Sequence, residues 1–364
     1  MKILKKSLAT ILAFVFTLSL CVSASAANAE ALDRAVKDTA AYMLKTVKNP
    51  EIGSVGGEWA VIGLARSGYN VPAAYYATYY KAVEQYVKDQ DGILHEKKYT
   101  DYSRVILGLT AAGYDPRNIG GYDLTFPLGD FESTVWQGIN GPVWALIALD
   151  SLNYPIPENK NAQTQATREL YVEEILKRQN ADGSWSLTAN TANGNGDPDL
   201  TGMSLQALAK YQDNPDVKTA TNKALDFLSN SQDKSGGYTS WGDANSESVV
   251  QVLVALCELG ISVDDARFVK NGHTLIDNIL TFQNADGSFR HTGAGIGNAQ
   301  MSSEQVLYGL VAAQRAANGQ SSLYRMSDTA KLGELAAPPA ASASTVLSGL
   351  PDKHTDVKLA AVIS

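Results

Sequence analysis

Cysteine is nearly missing from this chain: 2 in 364 residues, Cys21 and Cys257. Cys21 falls in an apolar leader, so no intramolecular disulfide is expected and the core must hold the fold. Histidine is scarce too. His95, His273, His291 and His354 show no H-x-x-x-H spacing, and Cys257 sits in an apolar helical run, where a thiol packs as a small hydrophobe. Neither a metal nor another cofactor is therefore expected. The G-x-x-x-x-G-K-[ST] phosphate loop and the G-x-S-x-G nucleophile elbow are absent, which removes P-loop enzymes and α/β-hydrolases. Period-two alternation is almost missing, so no extensive sheet is expected. The formal charge of −8 argues against nucleic acid or anionic membrane as partners.

A long apolar run occurs once. Lys2, Lys5 and Lys6 precede Leu8 to Val22, and Ala24-Ser25-Ala26 follows. This order of charge, apolar stretch and small residues predicts a signal peptide over residues 1–26. The run is short for a membrane span, so stable membrane insertion is not expected. Leu20 occupies the position where a lipoprotein signal needs a small residue before its cysteine. Removing the leader takes away three lysines and moves the charge from −8 to −11. The expected location is secreted, extracellular or associated with the cell wall.

What the chain does have is a repeat. Ala60-Val-Ile-Gly-Leu64, Val105-Ile-Leu-Gly-Leu109, Ala145-Leu-Ile-Ala-Leu149, Ser204-Leu-Gln-Ala-Leu208, Val252-Leu-Val-Ala-Leu256 and Val306-Leu-Tyr-Gly-Leu310 follow one pattern. Their first positions lie 45, 40, 59, 48 and 54 residues apart. On a helix the first and fifth positions share a face, and the small fourth residue admits a neighbouring helix. Amphipathic stretches alternate with them: Leu32–Val47, Pro72–Val87, a short one near Asp130–Gln137, Thr167–Arg178, Val217–Asn230 and Thr274–Phe282. A 40–60-residue unit of two helices cannot bury its apolar face alone. The expected fold is all-α, an (α/α)6 toroid of outer and inner helices over residues 27–330. Gly68, Gly113 and Gly260 are expected as C-caps.

Three later repeats share a turn: Gln179-Asn-Ala-Asp-Gly-Ser-Trp185, Gln232-Asp-Lys-Ser-Gly-Gly-Tyr238 and Gln283-Asn-Ala-Asp-Gly-Ser-Phe289. The glycine supplies a positive φ, the glutamine bonds helix-end backbone, and the aromatic fills the gap between units. They are read as structural staples. After Asn318 the pattern stops. Residues 331–364 read as an Ala/Pro/Ser linker and a disordered tail, expected as the start of a C-terminal module through which the protein would reach the cell wall.

These turns resemble the Gln-Trp repeats of squalene and hopene cyclases, within the terpenoid cyclase and prenyltransferase superfamily. Gly56-Gly-Glu-Trp59, Gln137-Gly-Ile-Asn-Gly-Pro142, Asp197-Pro-Asp-Leu-Thr-Gly-Met203, Ser246-Glu-Ser248 and Arg267-Phe-Val-Lys-Asn-Gly272 further resemble secreted Firmicute proteins built on such a toroid. The resemblance covers residues 30–328. It implies the ring but not a reaction. Against the cyclase motif Asp-x-Asp-Asp-Thr, it would make Asp199 the acid, Asp197 its outer partner and Thr201 the closing hydroxyl. Leu200 replaces the fourth-position aspartate, and aromatics at 8% are few for a pocket that stabilises cations.

In such a ring the inner helices' N-terminal ends converge. The candidate ligand-binding residues are those near these ends: Glu58, Trp59, Asp101, Gln137, Asn140, Thr201, Glu247 and Glu304, with Trp136, Trp144 and Trp241 nearby. Acids at helix starts also suit the macrodipole without any ligand. The expected function is binding of an extracellular small amphipathic molecule, such as a corrinoid, or of a surface glycan, without covalent chemistry. The rivals are a cyclase using Asp199, a glycosidase pairing Glu58 with Asp199 or Glu247, and a plugged toroid serving as a spacer.

Overall fold

A computed structural model describes residues 29–187, 196–295 and 297–329. The expected leader, the linker and the tail lie outside the described residues. The described chain is all-α apart from a two-residue hairpin, Thr239–Ser240 with Asp243–Ala244. Helix α1 covers residues 29–46. It is followed by α2 Glu58–Arg66, α3 Ala73–Asp89, α4 Thr100–Ala111, α5 Phe131–Val135 and α6 Asn140–Asp150. The second half holds α7 Arg168–Lys177, α8 Pro198–Leu208, α9 Pro215–Ser231, α10 Ser246–Glu258, α11 Leu275–Leu280 and α12 Ala299–Ala317.

All six signatures lie in the even-numbered helices, and the amphipathic stretches form the odd-numbered ones. The even helices are buried nearly all round. Every residue of α10 is buried, as are nine of the eleven in α6. A helix apolar on all sides belongs inside. The caps follow from sequence. Asp197, Asn214 and Asn245 accept from the first-turn amides of α8, α9 and α10, and Thr274 with Asp277 makes a capping box on α11. Pro72 stands one residue before α3 rather than at its first helical position. Gly113 and Gly260 have φ of +85° and +70°. The amides of Tyr114 and Ile261 return to Leu109 and Leu256, which ends both helices in a left-handed turn.

Helix α2 packs on α4, α4 on α6, α6 on α8, α8 on α10, α10 on α12, and α12 on α2, so these contacts form a closed cycle. The small fourth position explains two of the approaches. A Cβ on Gly63 would stand 2.9 Å from the Leu307 side chain, and one on Gly309 would stand 2.8 Å from Val250.

The staple turns tie successive odd-numbered helices. Trp185, Tyr238 and Phe289 are fully buried. Gln179 donates to the carbonyls of Gly183 and Ala220, and Gln232 to those of Gly236 and Phe268. Gly183, Gly236 and Gly287 have φ of +90°, +83° and +87°. A Cβ there would lie 2.6–2.7 Å from the carbonyls of Lys223 in α9, Thr274 before α11 and Asp38 in α1. The third turn thus brings the last repeat against the first helix.

The signature pattern stops at Asn318, but the ordered fold does not. Residues 318–329 form a strap across the C-terminal ends of the even helices. Arg66 donates to the carbonyls of Ser322, Leu323 and Arg325 and pairs with Asp328. Arg315 donates to Ser321 and Arg66 carbonyls and also meets Asp328. Glu258 accepts from the Ser322 hydroxyl and the Tyr324 amide. Buried charges cost several kcal/mol unless paired or hydrogen-bonded; both arginines here are paired and hydrogen-bonded, and Glu258 is hydrogen-bonded.

Candidate functional site

At the opposite end, residues from the N-terminal parts of all six even helices surround a cavity of about 120 Å³. Each signature is preceded by one residue that lines it: Trp59, Arg104, Trp144, Met203, Gln251 and Gln305. Thr100, Gln137, Asn140, Leu200, Met301 and Tyr308 complete most of the wall. The Trp59 ring lies 5.2 Å from Trp144 and 5.5 Å from Tyr308, centroid to centroid. Beneath them Gln251 donates to the Tyr308 hydroxyl (2.7 Å) and Gln206 donates to the Gln251 carbonyl (2.8 Å). A buried amide and phenol chain therefore forms the floor.

Of the residues named from sequence, Trp59, Gln137 and Asn140 line this cavity. Gln137 also accepts the Thr100 amide at 2.9 Å. The acids do not line it. Glu58 is fully buried and accepts from Arg104 (2.8 Å), the Tyr79 hydroxyl (3.0 Å) and the Gly53 amide (3.1 Å). Burial raises its pKa, with Arg104 opposing. Asp101 holds the other side of Arg104 at 3.0 Å, so the one cation in the wall is already matched by two carboxylates.

Asp197 is the N-cap of α8, accepting from the amides of Asp199 and Leu200 and from the Ser240 hydroxyl at 2.6 Å. Asp199 is buried, and its Oδ1 has no hydrogen-bond partner among the described residues. Burial raises its pKa, Asp197 and Glu247 add to the rise, and the Ser248 hydroxyl opposes it. Leu200, not Asp199, reaches the cavity wall. Thr201 is turned away as well: its hydroxyl accepts the Trp185 amide at 3.0 Å and so serves the staple. Ser303 does the same for Phe289 at 2.8 Å.

Glu247 is tied down at both oxygens. It accepts from Ser302 (2.5 Å) and Ser246 (2.9 Å), and lies 2.7 Å from His291 Nδ1. Glu304 accepts from the Gly56 amide (2.8 Å) and from Gln300 (3.1 Å), while its Oε2 is buried without a partner. Burial lifts its pKa to about 7. Trp144 joins Trp59 in the wall, whereas Trp136 and Trp241 stand 55% and 70% exposed at the rim loops.

Sequence reasoning missed Arg104, Met203, Gln251, Gln305 and Tyr308. The signal was present: the residue one before each signature precedes its first buried position by one, placing all six on the axial stripe. Tyr308, at the variable third position, follows three residues later on the same stripe.

A second cavity of about 250 Å³ lies at the strap end, among Asp150, Gln206, Lys210, Glu258, Tyr324 and Arg325. Among the described residues no cluster of His, Cys, Asp or Glu could hold a metal ion, and no helix is long and apolar enough to cross a membrane. Cys257 is buried, and its thiol pKa is raised by that burial. No protein-family model matches the chain, and no curated protein matches it in sequence.

Proposed function

We propose that this chain is a secreted (α/α)6 toroid of the terpenoid cyclase and prenyltransferase type that binds an extracellular ligand at the mouth of its ring without covalent chemistry. The cyclic order of helix contacts supports the ring. One observation supports binding over catalysis: the wall is built from indoles, amides, hydroxyls, the apolar Leu200, Met203 and Met301 and a matched arginine, while no carboxylate candidate lines it. A general acid or a glycosidase pair must touch the reacting atoms. The cavity also counts against a fully plugged spacer. At about 120 Å³ it is smaller than the roughly 300–1,000 Å³ of pockets that engulf a drug-sized molecule. A corrinoid would have to sit over the mouth, whereas one end of a narrower ligand fits within.

The cyclase reading keeps one favourable observation, the raised pKa of buried Asp199. Ligand screening separates the two readings. The protein without residues 1–26 is melted with corrinoids, with polyprenyl lipids and with neutral wall glycans. A ligand at 100 times its Kd stabilises by about 2.7 kcal/mol. Binding at the mouth predicts a shift with one class that Trp59→Ala removes. Turnover of a polyprenyl substrate that Asp199→Asn abolishes would replace this reading with the cyclase.

A further inference from the structure

Given that binding reading, on which this inference rests, we propose that the ligand is a neutral glycan, whose end enters the cavity while further sugars lie on Trp136 and Trp241 at the rim. The argument begins with charge. Among the described residues, the only charged side chain lining the cavity is Arg104, which is held by Glu58 at 2.8 Å and Asp101 at 3.0 Å. No uncommitted charge is left to meet a phosphate, a carboxylate or an ammonium, so a charged ligand would lose its hydration without gaining a partner. The remaining polar lining, from Thr100, Gln137, Asn140, Gln251 and Gln305, offers both donors and acceptors. Hydroxyl groups, which also donate and accept, fit that set. A wholly apolar chain such as a polyprenyl tail would match Leu200, Met203 and Met301 but leave these amides without partners.

The aromatic side chains supply the second half of the match. A pyranose has a polar edge and apolar C–H faces, and a flat indole covers such a face while the edge bonds to amides. Trp59 and Trp144 stand in the wall. Outside it, Trp136 directly precedes the wall residue Gln137 and is 55% exposed. Trp241 is 70% exposed, at the tip of the hairpin that Ser240 pins to the Asp197 cap of α8 by a 2.6 Å bond. Its backbone is left-handed, with φ of +55°, a conformation bulky residues rarely adopt. An exposed indole on strained backbone contributes nothing to the core. Trp136 is one residue from the wall, with the Lys97 ammonium 5.5 Å over its ring, so a sugar there would meet the remaining face; Trp241 is tied through Ser240 to the cap of α8, whose Leu200 and Met203 line the cavity.

The test is calorimetric titration with neutral hexasaccharides of β-1,4-linked glucose and of β-1,4-linked N-acetylglucosamine, alongside the same chains bearing carboxylates. One neutral chain is expected to bind with a Kd that salt barely changes. Trp136→Ala and Trp241→Ala are each expected to weaken it about tenfold, with the melting temperature of the free protein unchanged. Trp59→Ala is expected to abolish it. Three results overturn the inference: preference for the charged chains, affinity indifferent to both rim substitutions, or a corrinoid or lipid binding at the mouth in place of any glycan. The last leaves the binding function standing. Failure of every ligand class to bind the folded protein overturns both.

Discussion

The two ends of the even-numbered helices differ in how completely their buried charged groups are partnered. At the strap end, Arg66, Arg315 and Glu258 are buried, and each is met by strap backbone or by an opposite charge. At the mouth end, Asp199 and Glu304 are just as buried, yet each keeps one oxygen without a partner among the described residues. The strap crosses its end of the molecule and is held by these groups, although a cavity of about 250 Å³ remains beside it. At the mouth end the carboxyls stand back from the cavity, Glu58 and Glu247 with their partners and Asp199 and Glu304 each one short. The difference is what directs the functional reading to the mouth.

Removing a strap charge should produce the largest effect. Arg66→Ala leaves three strap carbonyls and Asp328 without their donor, and breaking a buried ionic network costs about 3–5 kcal/mol. Urea denaturation measures it. A loss below about 1 kcal/mol would mean that the strap is a passenger, and the comparison would collapse.

Glu304 tests the other end through pH. Its folded pKa is about 7 against an ordinary 4.5, because burial disfavours the carboxylate. The folded state therefore binds this proton more tightly than the unfolded state. Stability is fully present below about 4.5 and falls as pH rises through about 7, by up to about 1.4 kcal/mol per pH unit. Glu304→Gln removes that titration and keeps an acceptor for the Gly56 amide. It should stabilise the protein by up to about 3 kcal/mol at pH 8, with the advantage vanishing near pH 4. Melting curves across that range decide it, and a difference that is flat in pH would contradict the burial argument.

Gly287 sharpens the comparison at a place belonging to neither end. Alanine there must hold φ at +87° with its Cβ 2.6 Å from the Asp38 carbonyl. The expected cost is about 1–3 kcal/mol, read as a lower denaturation midpoint with an unchanged slope. A larger loss together with a smaller slope would show the contact between last repeat and first helix to be a cooperative closure.

The helical architecture was legible because periodicity and small residues carry it. The signatures and the Gln-turn glycines each name a contact that backbone sterics require, and all six signatures sit on even-numbered helices. The site was only half legible. Acids near helix starts drew attention through the macrodipole, but a helix start says nothing of which way a side chain points. Glu58 lies two residues before its signature, and Trp59 one before; that single step, about 100° around the helix axis, separates the wall from what stands behind it. The strap was not legible, since residues 318–329 have no repeat, and their partners Arg66 and Arg315 are more than 240 residues apart.

Two tryptophans give the cleanest contrast, one matching the strap effect in size and the other giving the smallest effect expected. Trp185 is fully buried and donates to the Ile175 carbonyl at 2.8 Å. Replacing it with alanine should cost about 3–5 kcal/mol, as for other large aromatic truncations in a core. Trp241 is 70% exposed and makes no ring contact among the described residues. Its replacement by alanine should change stability by less than about 0.5 kcal/mol, since alanine keeps the Cβ that disfavours the left-handed backbone. Chemical denaturation of both variants compares the same side chain in the two roles. If Trp241→Ala destabilised by more than about 1 kcal/mol, that indole would be another staple and the rim would owe its form to folding. A near-zero change leaves an indole kept exposed for which the fold has no use, and that remainder is what a ligand at the mouth explains.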